Sequence, residues 1–267
     1  MKKFEDIFKS KCSLVGMIHV PALPGTPAYK SDVKSIIAKV KEEAKIYSDC
    51  GVDAIAIENM HDTPYLNRNV GPEIIAMMTR AADAVKSASN LPTGIQILAG
   101  ANKEALAVAL ASDLQFIRAE GFVFSHIADE GMMNSDAGEL LRYRKMIEAD
   151  DILIFTDIKK KHSSHSITSD ISIKEVAKAA EFFRTDGVII TGTETGSAAD
   201  LSELKEVKKA VKLPVIIGSG ITDKNIEEFS EIADALIVGS YFKKDGYWEN
   251  ELDPKRIRLL TEKLKKH

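Results

Sequence analysis

The chain has 267 residues, 45% of them hydrophobic and 28% charged, with a formal net charge of -4. That length suits a single α/β barrel better than two average domains, and the composition supplies a full core. The charge balance argues against a nucleic-acid surface, no apolar run approaches the ~20 residues that span a bilayer, and the alternating charged and apolar residues of 1–11 lack a signal peptide's apolar stretch, so a cytoplasmic, reducing setting is expected.

Segment 1–12 is expected to form a short helix covering the bottom of the fold. The first strand candidate, 14–18, runs into His19. Val33, Ile36, Ile37, Val40, Ala44 and Tyr47 then share one helical face, with Asp32 placed to cap it. Further strand candidates are 54–58, 92–98, 116–120, 152–158, 187–191, 213–218 and 234–240. Helical period returns between them, as in Ile173, Val176, Ala177, Ala180 and Phe183, and in Leu201, Leu204, Val207 and Ala210. Asn102 and Asp223 are further cap candidates, and Ile257, Leu260 and Leu264 mark a closing helix. Strands alternating with helices in this number predict a single (β/α)8 barrel over 1–267. An open doubly wound sheet would announce itself with a glycine-rich turn after strand one, but that strand leads into His19-Val20-Pro21-Ala22-Leu23-Pro24-Gly25. Helix-to-strand connections are short, whereas 19–32, 59–71, 121–137 and 159–171 are long. The long loops gather at the C-terminal ends of the strands, the face that carries chemistry in this fold. Cys12 and Cys50 show no metal-ligand spacing and are assigned to packing.

Side chains alternate along a strand, so parity selects those that face the barrel axis. Ala54, Ala56 and Glu58 share one face of strand two, and Phe116, Arg118 and Glu120 share one face of strand four. Strand three offers Gln96, strand one ends at His19, and strand five ends in Thr156-Asp157-Ile158-Lys159. A buried ion-pair network is the bland account of this ring. So many ionisable groups at one end point instead to a site, because buried pairs seldom stabilise better than apolar packing. Glu58 and Asp157 are the general acid/base candidates, Lys159 would offset developing negative charge, and His19 would orient or shuttle a proton. Asn59, Gln96, Arg118, Glu120, His162 and Thr193 are substrate-binding candidates.

In the stretch 157–165, Lys160 reads as solvated loop, whereas Lys159, Lys161, His162 and His165 could face the site. A divalent metal on Asp157 or a histidine is one use of this stretch, but the spacing matches no recognised metal motif, so no ligand set is assigned. Strand six, 187–191, lacks the lysine that an imine aldolase would place there. Strands seven and eight end in Gly218-Ser219-Gly220 and Gly239-Ser240. Each pair alone is explained by a tight turn; together they match the position where barrels bind phosphate through backbone N–H groups.

Gly16-Met17-Ile18-His19, Pro21-Ala22-Leu23-Pro24-Gly25, Glu58-Asn59, Asp157-Ile158-Lys159, Thr191-Gly192 with Thr195-Gly196, and Gly218-Ser219-Gly220-Ile221-Thr222 together resemble the BtpA/SgcQ family. The resemblance runs from about residue 13 to 245. It implies a barrel like the phosphate-binding barrels of ribulose-phosphate and histidine–tryptophan biosynthesis, and it implies no particular reaction. Two stretches depart from the family pattern. Gln96-Ile97-Leu98-Ala99-Gly100-Ala101 stands where many members carry Asn and Arg-Asn-Asp, and 119–126 replaces a more aliphatic stretch. The expectation is an enzyme that binds a small phosphorylated metabolite, a sugar phosphate or nucleotide-like compound, and performs isomerase, epimerase or lyase-type acid/base chemistry. The alternative is a non-catalytic assembly or regulatory factor of the photosystem-biogenesis kind that uses the barrel as a binding module. A homo-oligomer is expected only because closed symmetric assemblies are common.

Overall fold

A computed structural model describes residues 3–192 and 198–265. After a one-turn helix α1 (Phe4–Ile7), the strands β1 (Ser13–His19), β2 (Ala54–Glu58), β3 (Thr93–Gln96), β4 (Phe116–Ala119), β5 (Leu153–Ile158), β6 (Gly187–Ile190), β7 (Val215–Ile217) and β8 (Ala235–Val238) form a closed parallel barrel. Neighbours follow chain order, and β1 pairs with both β2 and β8, which leaves no barrel edge open. Around it run α2 (Val33–Cys50), α3 (Pro72–Ala88), α4 (Asn102–Ala111), α5 (Ala137–Met146), α6 (Ile173–Phe182), α7 (Leu201–Ala210), α8 (Ile226–Ser230) and α9 (Pro254–Lys265).

The period of two in each strand separates two buried clusters. Ile55, Ile57, Ile117, Ile154 and Leu236 pack outward among the helices. Val15, Met17, Ala56, Phe116, Phe155 and Ile237 fill the interior. Phe116 can lie across the axis because β3 offers Gly94 opposite, where a Cβ would stand 2.1 Å from its ring. The interior cluster also takes in Phe4, Ile7 and Phe8. Phe8 stacks on Phe4 at 4.5 Å and lies 5.7 Å from Phe116, so α1 and the residue after it plug the N-terminal end of the barrel.

Helix termini follow local chemistry in part. Asp32 caps α2 by accepting from the backbone N–H groups of Lys34 and Ser35 at 2.8 and 3.0 Å. Asn102 is instead the first residue of α4, because its side chain is used elsewhere: Nδ2 donates to the Glu120 carbonyl at 2.8 Å and to Asp136 at 2.9 Å. Asp223 does not cap α8 either; Asn225 holds that position, and the helix lasts little more than a turn.

At the C-terminal end the long loops brace each other. His126–Ala128, Gly131–Met133 and Ser163–Ser164 form a small antiparallel sheet from the loops after β4 and β5. Arg68, from the loop after β2, donates to the carbonyls of Gly100 and Gly121 at 2.9 and 3.1 Å and pairs with Asp136. Among the described residues no helix is long and apolar enough to cross a membrane.

Candidate functional site

Register sets the inner ring of the mouth. His19 of β1 stands beside Glu58 of β2, which stands beside Gln96 of β3. Two adjoining cavities open there, of about 170 and 340 Å³. The smaller is lined by the turns after β7 and β8, with Gly218, Ser219, Gly220, Gly239 and Ser240, and by His19. The larger holds Gln96, Glu120, His162, Tyr65, Leu98 and Trp248. Glu58, Met60, Arg118 and Lys161 line both and so mark their junction.

The junction is electrostatically tense. Arg118 donates from Nε and Nη2 to the two carboxylate oxygens of Asp157 at 3.0 and 2.9 Å, with both side chains buried. Burial opposes the Arg118 charge, but the Asp157 carboxylate outweighs it and holds the guanidinium protonated. Glu58 lies with Oε1 3.5 Å from His19 Nε2. Burial pushes the Glu58 carboxyl up, against the pull of Arg118 and Lys161. Burial and then Lys243 bring His19 down to about 3, so its ring is neutral near pH 7. For Lys161, burial and then the Arg118 charge hold the ammonium below the usual lysine range, while Glu58 pulls the other way.

Most of the ring expected from the sequence meets at this mouth, but several members sit elsewhere. Asn59 lies outside both cavities: its Oδ1 accepts from the Leu98 backbone N–H at 2.7 Å and its Nδ2 donates to Asp62 at 2.8 Å, so it braces loops. Lys159 has a φ of 49°, which breaks the strand alternation, and its side chain joins a separate cleft with Val176 and Thr168. Lys161, two residues on, returns to the mouth instead. Lys160 is not solvated: it is 8% exposed, and its Nζ lies 3.3 Å from Glu120 and 3.9 Å from Glu130. Asp157 reaches the ring only as the partner of Arg118. Thr193 lies outside the described residues. Behind the β7 turn α8 starts only at Ile226, whereas a 3₁₀ turn, Ser240–Phe242, follows β8 directly.

Sequence reasoning missed Met60, Tyr65 and Trp248. Trp248 stands 6.2 Å from the His19 ring, and its carbonyl lies 3.3 Å from His19 Nδ1. The available signal was its place as the chain's single tryptophan in the loop after strand eight. Among the described residues no group of three or more His, Cys, Asp or Glu side chains is placed to hold a metal ion.

Several known proteins are similar to this chain. An uncharacterized mitochondrial protein of Caenorhabditis elegans is 53% identical over 253 residues, which is 93% of this chain and 91% of that one. The photosystem I biogenesis protein BtpA of Synechocystis is 30% identical over 258 residues, covering 96% of this chain and 89% of its own. Among solved structures, the (S)-3-O-geranylgeranylglyceryl phosphate synthase of Thermoplasma acidophilum, in complex with sn-glycerol-1-phosphate, superposes with a TM-score of 0.62 at 16% identity, covering 100% of both chains. That likeness shows the barrel fold. The BtpA family model matches residues 10–266, and the chain belongs to the BtpA family.

Proposed function

We propose that this barrel is an enzyme acting on a small phosphorylated metabolite, with the phosphate between the β7 and β8 turns and the reacting carbon at the junction of the two cavities. One observation carries the reading: a buried carboxyl, Glu58, shares a continuous mouth with the Gly218-Ser219-Gly220 and Gly239-Ser240 turns. Glycine lets the backbone approach an anion, and Ser219 and Ser240 add hydroxyl donors. The Thermoplasma synthase, a barrel of the same kind, binds a glycerol phosphate, which supports the ligand class by analogy of fold alone.

The chemistry is proton transfer. A carboxyl raised by burial is a stronger base than an ordinary one and can return the proton it takes. Glu58 would remove a proton from a carbon beside a carbonyl, while Arg118 opposes the charge that develops on oxygen. His19, neutral and tied to the Trp248 carbonyl, positions Glu58. Asp157 fixes Arg118 through the bidentate pair and is not itself the base. Isomerisation, epimerisation and elimination of the lyase type all begin with such a step.

A thermal-shift screen of phosphorylated metabolites identifies the ligand, and turnover is then compared in wild type and Glu58→Gln. The expected outcome is a loss of about 10²- to 10⁴-fold in turnover, with ligand binding and melting temperature retained. Undiminished turnover in a folded Glu58→Gln protein overturns the assignment. Binding without turnover in the wild type leaves a binding module.

A further inference from the structure

We propose that Lys161 is a nucleophilic amine that forms an imine with the carbonyl of a phosphorylated ketone or aldehyde. The inference rests on the reading that the mouth takes a phosphorylated metabolite, and it names the carbonyl class of that metabolite. Strand six carries no lysine, but the fold delivers one by another route. The left-handed residues Lys159 and His162, with φ of 49° and 53°, bracket a kinked segment after β5. The Lys161 backbone N–H donates to Thr191 Oγ1 at 3.1 Å, which anchors that segment to the end of β6. Lys161 thereby lines both cavities at their junction, alongside Glu58 and Arg118.

Four features suit the amine to this chemistry. Arg118 is a permanent cation, fixed by Asp157, and it disfavours a second positive charge beside it. Burial acts in the same direction, and both favour the neutral amine. Lys160, the adjacent lysine, is engaged by Glu120 and Glu130 and does not compete for the role. Glu58 supplies the proton transfers, since burial raises its carboxyl above the usual carboxylate range.

The step balances within these groups. The Nζ lone pair of neutral Lys161 attacks the carbonyl carbon and forms the C–N bond. The carbonyl π pair moves to oxygen, which takes the proton of Glu58. The Glu58 carboxylate then accepts one proton from nitrogen, giving a neutral carbinolamine. That same proton returns to the hydroxyl, water departs, and nitrogen forms the C=N bond. The resulting iminium draws electrons from the adjacent C–H bond, whose proton the Glu58 carboxylate takes. With a phosphate between the β7 and β8 turns, a carbonyl a few bonds away reaches the junction.

The test is reductive trapping. Wild type and Lys161→Met are incubated with dihydroxyacetone phosphate, glyceraldehyde 3-phosphate and ribulose 5-phosphate, then treated with sodium borohydride. Intact-mass measurement and peptide mapping follow. The expected result is one adduct on Lys161 with at least one of the three, heavier by the ligand less one oxygen atom, and absent from Lys161→Met. Unphosphorylated dihydroxyacetone should label Lys161 at least tenfold less. No adduct on Lys161 with any of the three overturns the imine, as does equal labelling of the methionine variant. Calorimetric titration of both proteins with inorganic phosphate separates the two ideas. Phosphate binding without an adduct overturns the imine alone, and no phosphate binding in either protein overturns the phosphate site beneath it. Matching thermal unfolding of the two proteins shows that the variant keeps its fold.

Discussion

His19 is a neutral ring inside the folded chain, and this has a consequence for stability. Burial and Lys243 lower it from the usual 6.5 to about 3. The stability linked to His19 is therefore fully present above pH 6.5 and drains as pH falls toward 3, because the unfolded chain takes up a proton that the folded one refuses. The slope is ~1.4 kcal/mol per pH unit for one such group. Burial holds Asp136 up at about 6, which acts in the opposite sense, so the informative quantity is a difference between two proteins. Urea unfolding of wild type and His19→Asn from pH 7 to 4.5 should show a shallower loss in the variant, by about one proton's worth. Parallel pH dependence would place a charged His19 in the fold. Single residues were legible from the sequence wherever the strand period held: Glu58, Gln96 and Arg118 face the mouth because alternation puts them there. Legibility failed after β5, where a left-handed residue at Lys159 shifts the phase of the residues that follow. A run of lysines reads as solvated loop, and the carboxylates that bury Lys160 come from Glu120 and Glu130 on another loop, which no local pattern reveals.

The short α1 contributes more than its length suggests. Its apolar residues and the Phe8 that follows close the barrel interior, with Phe8 only 4% exposed and packed against both Phe116 and Phe155. Removing a buried aromatic ring forfeits its transfer energy and leaves a cavity that the barrel cannot fully collapse, since its wall is a closed hydrogen-bonded sheet. Phe8→Ala should therefore cost about 3–4 kcal/mol, read as a lower urea midpoint, with the proposed phosphate site at the opposite end unaffected. A loss under about 1 kcal/mol would mean that α1 lies on the barrel without supporting it. Elements carried by a strong period were readable, and β2 occupies the expected 54–58. The 126–133 excursion was not, because its short strands derive their order from pairing with each other and with Ser163–Ser164 rather than from a hydrophobic pattern. The loop after β8 was likewise opaque, and with it Trp248, whose role depends on proximity to His19 across the closed barrel.

Closing the barrel brings together groups far apart in sequence: His19 and Glu58 from the first two strands, Lys161 from beyond β5, and the serine turns after β7 and β8. The unfolded chain has no such assembly, so an anion bound there stabilises the whole molecule by linkage. At a phosphate concentration 100-fold above Kd the gain is about 2.7 kcal/mol. For a chain of this size that corresponds to roughly 5–10 °C in melting temperature. Choosing the control requires care. A side chain at Gly218 would place its Cβ 2.6 Å from Ile189 Cγ2 and 3.2 Å from Arg118 Nη2, so Gly218→Val reports on the barrel wall as much as on the anion. At Gly239 a Cβ would stand 3.0 Å from His19 Nε2, which disturbs the ring beside Glu58. Ser240 is half-buried and opens the 3₁₀ turn after β8, where an added carboxylate meets fewer packing demands. Ser240→Asp sets a negative charge beside the proposed phosphate and should abolish the phosphate-dependent rise while leaving the ligand-free melting temperature within a few degrees of wild type. Ser240→Ala, which removes one hydroxyl donor and no backbone donor, should keep most of the rise. If phosphate raises wild type and Ser240→Asp equally, the anion binds away from the β7 and β8 turns, and the proposed phosphate site is wrong.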